Sequence, residues 1–124
     1  MLFKKQDIHA RICVLRASPE VLDIPNVVVT DSNAATKYVR FSPAPGGLAM
    51  VDRERTFARY WNHPEDEREH WRHRAQKCAE VLIPDAVPMR YIVGAYVSCP
   101  ESSQALADAG FNLPVTVSRD LFFL

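Results

Sequence analysis

The chain has 124 residues, enough for one domain and too few for two. Apolar residues make up 48% and charged residues 24%, an ordinary globular balance, and no apolar run approaches the roughly 20 residues of a membrane-spanning helix. Fifteen basic and fifteen acidic residues cancel, which removes the case for a wholesale electrostatic binder of nucleic acid or membrane.

The charge is uneven along the chain. Residues 1–60 carry nine Lys/Arg against six Asp/Glu, and residues 61–124 carry six against nine. Within the acidic half, Arg68 to Lys77 holds four basic residues and one acid, a local patch able to meet phosphate. The start, Met1 to Asp7, has no long apolar stretch and does not read as a secretory signal. Cys13, Cys78 and Cys99 are odd in number and form no CxxC pair, which points to a reduced, cytoplasmic protein. Cys13 and Cys78 sit in apolar runs and read as small core residues.

In chain order, Arg11 to Arg16 reads as a strand buried on both faces, ended by Ser18-Pro19. Val27 to Thr30 is a second strand, β-branched throughout and preceded by the turn signal Pro25-Asn26. Asp31-Ser32-Asn33 offers caps for a short helix from Ala34. Phe41 to Gly47 reads as a loop because of Pro43, Pro45, Gly46 and Gly47. Pro64 to Lys77 is the best helix, with acids at its start and bases at its end to suit the helix dipole. On it Trp71 and Ala75 share one stripe, while His70, His73, Arg74 and Lys77 form an opposite, basic face. Strands follow over Cys78 to Ile83 and Tyr91 to Val97. A helix then runs from Pro100 to Ala109, closed by Gly110, before a fifth strand over Leu113 to Val117 and an apolar tail. The strands are not separated by regular helices, so the class is α+β and not doubly wound, with a single domain over 1–124.

Glu80 is the residue that stands out. It is the one charged side chain in Cys78-Ala79-Glu80-Val81-Leu82-Ile83. A carboxylate there is costly unless it is paired or lies in a cleft. The plain alternative is a strand-end acid paired with an Arg or facing water. His70 and His73, spaced i, i+3, invite a metal reading, but no HExxH or HxH supplies further ligands, so no metal is expected. Gly46-Gly47 lacks the GxGxxG and GxxxxGK[ST] patterns, and the serines show no GxSxG elbow. Tyr60, Trp61 and Trp71 read as packing aromatics in preference to base-stacking platforms.

The order of motifs adds a resemblance. Thr30-Asp31-Ser32-Asn33-Ala34 is followed by Tyr60-Trp61, an acidic-then-basic helix, Lys77-Cys78-Ala79-Glu80-Val81-Leu82-Ile83, Val87-Pro88 and Tyr91-Ile92-Val93-Gly94. From about Arg11 onward this resembles the DarT family, toxins of bacterial toxin–antitoxin systems that transfer ADP-ribose from NAD to thymidine in single-stranded DNA. The resemblance implies an ADP-ribosyltransferase-like mixed sheet with short helices. It also implies NAD as a substrate and no permanently bound cofactor, single-stranded DNA as acceptor, a macrodomain-type antitoxin as partner, no membrane, and a cytoplasmic site of action.

By the same resemblance Glu80 is the catalytic glutamate. It would hold a ribose hydroxyl and stabilise oxocarbenium charge as the nicotinamide–ribose bond breaks. Arg72, His73, Arg74 and Lys77 become candidates for gripping phosphates of the strand, with a solvated helix face as the plain alternative. Asp31 and Asn33 either cap a helix or line the cleft. The family's N-terminal portion, with its His-containing NAD-binding motif and catalytic Arg, is not recognised in this sequence. The expectation is therefore the C-terminal part of such a domain, inactive by itself. The alternative is a truncated, non-catalytic remnant or split module that binds DNA or a protein partner.

Overall fold

The computed structural model describes residues 2–124, with the side chain of Phe3 left aside. The chain forms two compact units. One joins the stretch up to Pro19 with Val87–Leu124, and the other is Glu20–Ala86.

The first unit is built on a three-stranded sheet in the order β1-β5-β6, formed by Val14–Ala17 (β1), Ile92–Val97 (β5) and Val115–Val117 (β6). β1 runs antiparallel to β5, with Val14 opposite Tyr96, and β6 runs parallel to β5, with Ala95 opposite Val115. The crossover is helix α3, Pro100–Asp108, opened by Pro at its first turn and followed by Gly110 at a φ of 89°, where a side chain would be strained. Gly94 allows a close approach: a Cβ there would meet the Pro114 carbonyl at 2.6 Å. A run of 3-10 turns over Leu2–Arg11 closes one side of this unit. It is tied down by His9 Nδ1 to the Ser98 hydroxyl at 2.7 Å, and by the Ser102 hydroxyl donating to the Ala10 carbonyl at 2.8 Å. Ala95, Val97 and Phe122 form its fully buried apolar centre.

The expected strand at Arg11–Arg16 is shifted and is not buried on both faces. β1 is an edge strand whose burial alternates; Leu15 is 53% exposed and Cys13 is exposed, so Cys13 is no core residue.

The second unit carries the sheet β3-β2-β4, from Phe41–Pro43 (β3), Val28–Thr30 (β2) and Val81–Leu82 (β4), antiparallel throughout. Val27 and Val29 are buried beneath it, and Thr30 is fully buried. A 3-10 helix over Gly46–Met50 leads to the short helix α1, Arg53–Phe57, whose N-cap Asp52 accepts from the Arg55 amide at 3.0 Å. Helix α2 spans Glu67–Gln76 and starts later than expected. Pro64 lies in a turn, and Asp66 is the cap, its carboxylate accepting from the Glu69 amide at 3.0 Å.

Three further expectations change in this unit. Phe41–Gly47 is not all loop, since its first three residues pair with β2. No helix begins at Ala34; Asp31 and Asn33 instead shape turns. The strand expected from Cys78 is cut to Val81–Leu82, because Cys78 and Ala79 bend back to hydrogen-bond the Ala75 and Gln76 carbonyls. Among the described residues no helix is long and apolar enough to cross a membrane.

Candidate active site

Glu80 stands where the chain leaves α2 and joins β2. Its backbone carbonyl accepts from the Thr30 amide at 2.8 Å, and its amide donates to the Thr30 hydroxyl at 2.9 Å. That hydroxyl donates in turn to the Ser32 carbonyl at 2.7 Å. One buried threonine therefore anchors both the Glu80 backbone and the loop that begins at Asp31.

The same loop holds the Glu80 side chain. The Ala34 amide donates to Glu80 Oε2 at 2.8 Å, a charge-assisted bond that orients the carboxylate. The loop is itself braced at several points. Asn33 Oδ1 accepts from the Ala35 amide at 2.8 Å, and the Asn33 amide donates to the Ala75 carbonyl of α2 at 3.0 Å. Asp31 closes its far end by accepting from the Arg40 amide at 2.9 Å and from Arg40 Nε at 2.6 Å. Burial raises the Asp31 pKa, but the hydrogen bonds and charge of Arg40, with the Ser32 hydroxyl, outweigh it and hold the carboxyl below its ordinary value of 3.8.

Glu80 is exposed, and it opens onto a groove of about 700 Å³. The groove is walled by Val29, Leu48, Val51 and Phe57, with Arg53 and Thr56 as further polar lining. The arrangement is an anchored carboxylate, an apolar wall and a guanidinium. It suits a sugar beside the acid and a phosphate beside the cation.

The basic residues of α2 separate into two groups. Arg72 is exposed and Arg74 half-buried, with the Arg74 guanidinium over the Trp71 ring at 4.9 Å from its centroid. His73 is buried and Lys77 half-buried, so the basic face read for His70, His73, Arg74 and Lys77 is not a solvated one. The His73 ring is bonded on both sides, to the Arg55 carbonyl at 3.0 Å and to His63 Nε2 at 2.9 Å. A carbonyl only accepts, so Nε2 of a neutral His73 carries the proton and its Nδ1 accepts from His63. Lys77 donates to the Thr56 and Ala58 carbonyls and lies over the Trp61 ring at 5.2 Å from the centroid. Burial lowers its pKa from the ordinary 10.5, partly offset by Cys78. Arg55 bridges α1 to α2 by donating to Glu69, which lowers the pKa of that carboxyl. These contacts make the inner face of α2 a packing face. His63 pairs with His73, and among the described residues no three His, Cys, Asp or Glu side chains gather closely enough for a metal.

Several site residues carried no sequence motif. Arg53 and Phe57 reach the Glu80 groove from α1; the signal was Asp52 as a helix cap, three residues before Arg55. Thr30 was visible only as part of the Thr30–Ala34 string, and its anchoring of Glu80 depends on a strand pairing across fifty residues.

The family model described as "ssDNA thymidine ADP-ribosyltransferase, DarT" matches residues 1–123. The fold is similar to Thermosipho africanus DarTG in complex with ADP-ribose, with a TM-score of 0.79 and 22% identity, covering 100% of this chain and 33% of that one. It is also similar to Thermus sp. 2.9 DarT in complex with carba-NAD+, with a TM-score of 0.70 and 22% identity, covering 84% of this chain and 54% of that one. The same Thermus protein in complex with ADP-ribosylated ssDNA gives a TM-score of 0.70 and 22% identity, covering 84% of this chain and 51% of that one. The chain thus spans between a third and about half of the length of these proteins. No curated protein matches it. These likenesses define the class of fold, a mixed α+β fold with short helices and small sheets like that of the DarT structures. The match over nearly the whole chain then makes it a member of the DarT family.

Proposed function

We propose that this chain is the glutamate-bearing part of a single domain that transfers ADP-ribose from NAD to thymidine bases of single-stranded DNA. NAD is consumed as a substrate. The observation that carries the reading is the Glu80 carboxylate, fixed by the Ala34 amide at 2.8 Å at the edge of a groove that also holds Arg53. In the reaction the nicotinamide–ribose bond breaks and its electron pair leaves with nicotinamide. A thymine atom forms the new bond to the ribose and loses a proton. Glu80 holds a ribose hydroxyl and stabilises the positive charge that develops on the sugar. The apolar wall of Val29, Leu48 and Phe57 limits water as a competing nucleophile. Arg72 and Arg74 are the strand-facing cations. The biological setting is that of a cytoplasmic toxin restrained by a macrodomain-type antitoxin.

One observation favours a second reading, a non-catalytic or split module that binds DNA or a protein partner. Arg53 is the one cation among the described residues lining the Glu80 groove, which is sparse for a dinucleotide with two phosphates. The test is transfer from labelled NAD to thymidine-containing single strands by residues 1–124, beside calorimetry with NAD. Labelled DNA that disappears with Glu80→Gln supports the transferase; labelling that survives the substitution removes Glu80 from the mechanism. Strand binding that stays without NAD binding or transfer when the N-terminal portion of a DarT relative is supplied in trans selects the module.

A further inference from the structure

Beside the Glu80 groove lies a second groove, of about 820 Å³, between α2 and the 31–40 loop. Its lining is unlike that of the first. It carries Tyr38 and Trp71 with three arginines, Arg40, Arg68 and Arg72. The aromatic rings are not packing residues, since Tyr38 is 84% exposed and Trp71 54% exposed. On α2, Arg68, Trp71, Arg72 and Ala75 stand at i, i+3, i+4 and i+7 and so share one stripe. The small Ala75 leaves room beside the indole.

We propose that this groove is a stacking subsite for a nucleotide flanking the reacting one on a single strand. The base stacks against Trp71 and Tyr38, and Arg68 and Arg72 hold its phosphates. The proposal rests on the transferase reading above and deepens it. Three observations carry it. First, the charge suits a polyanion, because the one acid in the lining, Asp31, is already paired with Arg40 at 2.6 Å. Second, the Trp71 ring is held in place: Arg74 lies over it at 4.9 Å from its centroid, and its Nε1 leans toward Glu67 Oε1 at 3.5 Å. A pre-set aromatic plane with arginines beside it is what sequence-tolerant single-strand binding requires. Third, one loop links the two grooves. The 31–40 loop grips the Glu80 carboxylate through the Ala34 amide and α2 through the Asn33 amide, while its Ser32, Thr36 and Tyr38 line the second groove. A strand with one nucleotide at Glu80 therefore has its neighbour directed along this loop.

The full chain has two tryptophans, so Trp61→Phe leaves Trp71 as the sole indole reporter. Two oligonucleotides of equal length are titrated against it, one with a single thymidine between intact nucleotides and one with the same thymidine between abasic sugars. The expected result is quenching of Trp71 by the intact strand and little by the abasic-flanked one. By anisotropy of end-labelled strands, Trp71→Ala should weaken binding of the intact strand by about 5- to 150-fold, the range of one lost base–aromatic stack. It should leave the abasic-flanked strand bound as before, whereas Trp71→Phe keeps most of the affinity for the intact strand. Equal quenching by both strands, or unchanged binding by Trp71→Ala, overturns the stacking subsite while the transferase reading stands. Failure of the parent protein to bind either strand overturns both.

Discussion

The Thr30 hydroxyl accepts the Glu80 amide at 2.9 Å while donating to the Ser32 carbonyl at 2.7 Å. Thr30 is fully buried, so its bond to the Ser32 carbonyl is shielded from water, and its bond to the amide of the exposed Glu80 is partly shielded. The hydroxyl joins the strand that presents Glu80 to the loop whose Ala34 amide orients its carboxylate. The candidate site is thus organised from below by a side chain that does not line up with any reacting group.

Thr30→Val keeps the shape and removes the hydroxyl. It strands the buried Ser32 carbonyl and leaves the part-buried Glu80 amide without this acceptor, and the expected loss is about 1–3 kcal/mol of unfolding free energy. Urea denaturation checks this. A loss within error of zero would mean that the two groups find water, and that Glu80 is positioned by the Ala34 contact alone.

Glu80→Gln should behave in the opposite way. Glu80 is exposed, and a glutamine oxygen can still accept from the Ala34 amide, so the urea midpoint should stay where it is. Transfer of ADP-ribose by an active assembly should fall by about two to four orders of magnitude, because only the charge opposite the developing cation is lost. Gel separation of modified strands measures the effect. A tenfold loss or less would reduce Glu80 to a binding contact.

These two positions show what was legible in the sequence and what was not. Glu80 was visible because a carboxylate within an apolar run is chemically anomalous. The cleft beside it was not, because its walls come from the 3-10 helix Gly46–Met50 and from α1, both too short to show a helical period. The edge strand β1 misled for the converse reason. Ile12-Cys13-Val14-Leu15 is continuously apolar, and a run of that kind does not reveal that only one face is covered. The stripe on α2 was read with its faces reversed. The helical wheel placed Trp71 inward and His73 outward, on the premise that hydrophobicity decides burial. The structure buries His73 because its two ring nitrogens are both satisfied, and leaves Trp71 open.

Asp31 predicts a response to acid. Its pKa is lowered in the folded chain, so the folded state binds that proton less readily than the unfolded one. The contribution is fully present above the ordinary value of 3.8 and is lost as pH falls through the lower folded value. Arg40 is 68% exposed, so solvent and salt screen the pair and its share is small. The expected outcome is that Asp31→Asn narrows the difference in stability between pH 6 and pH 3. Thermal unfolding across that range tests it, and an unchanged difference would show that the 31–40 loop does not depend on the charge.

The last prediction separates the basic residues of α2 by how they are used. Arg72 is exposed, with its charge felt by Glu69, whereas His73 and Lys77 spend their polar atoms on α1 and the segment after it. Arg72→Ala should lower the salt dependence of single-strand binding by about 0.7 in slope, one phosphate contact for a single strand. His73→Ala should leave that slope unchanged and cost about 1–3 kcal/mol of stability, because it abandons the Arg55 carbonyl and the His63 nitrogen. Lys77→Met gives a further sign test. Burial lowers the Lys77 pKa, so between that lowered value and the ordinary 10.5 the unfolded chain holds more protons, and stability due to this group rises with pH. The substitution should remove that rise, seen as the difference between parent and variant in urea midpoints at pH 8 and pH 10. A lower salt slope for His73→Ala, with stability intact, would return that histidine to the strand-binding face.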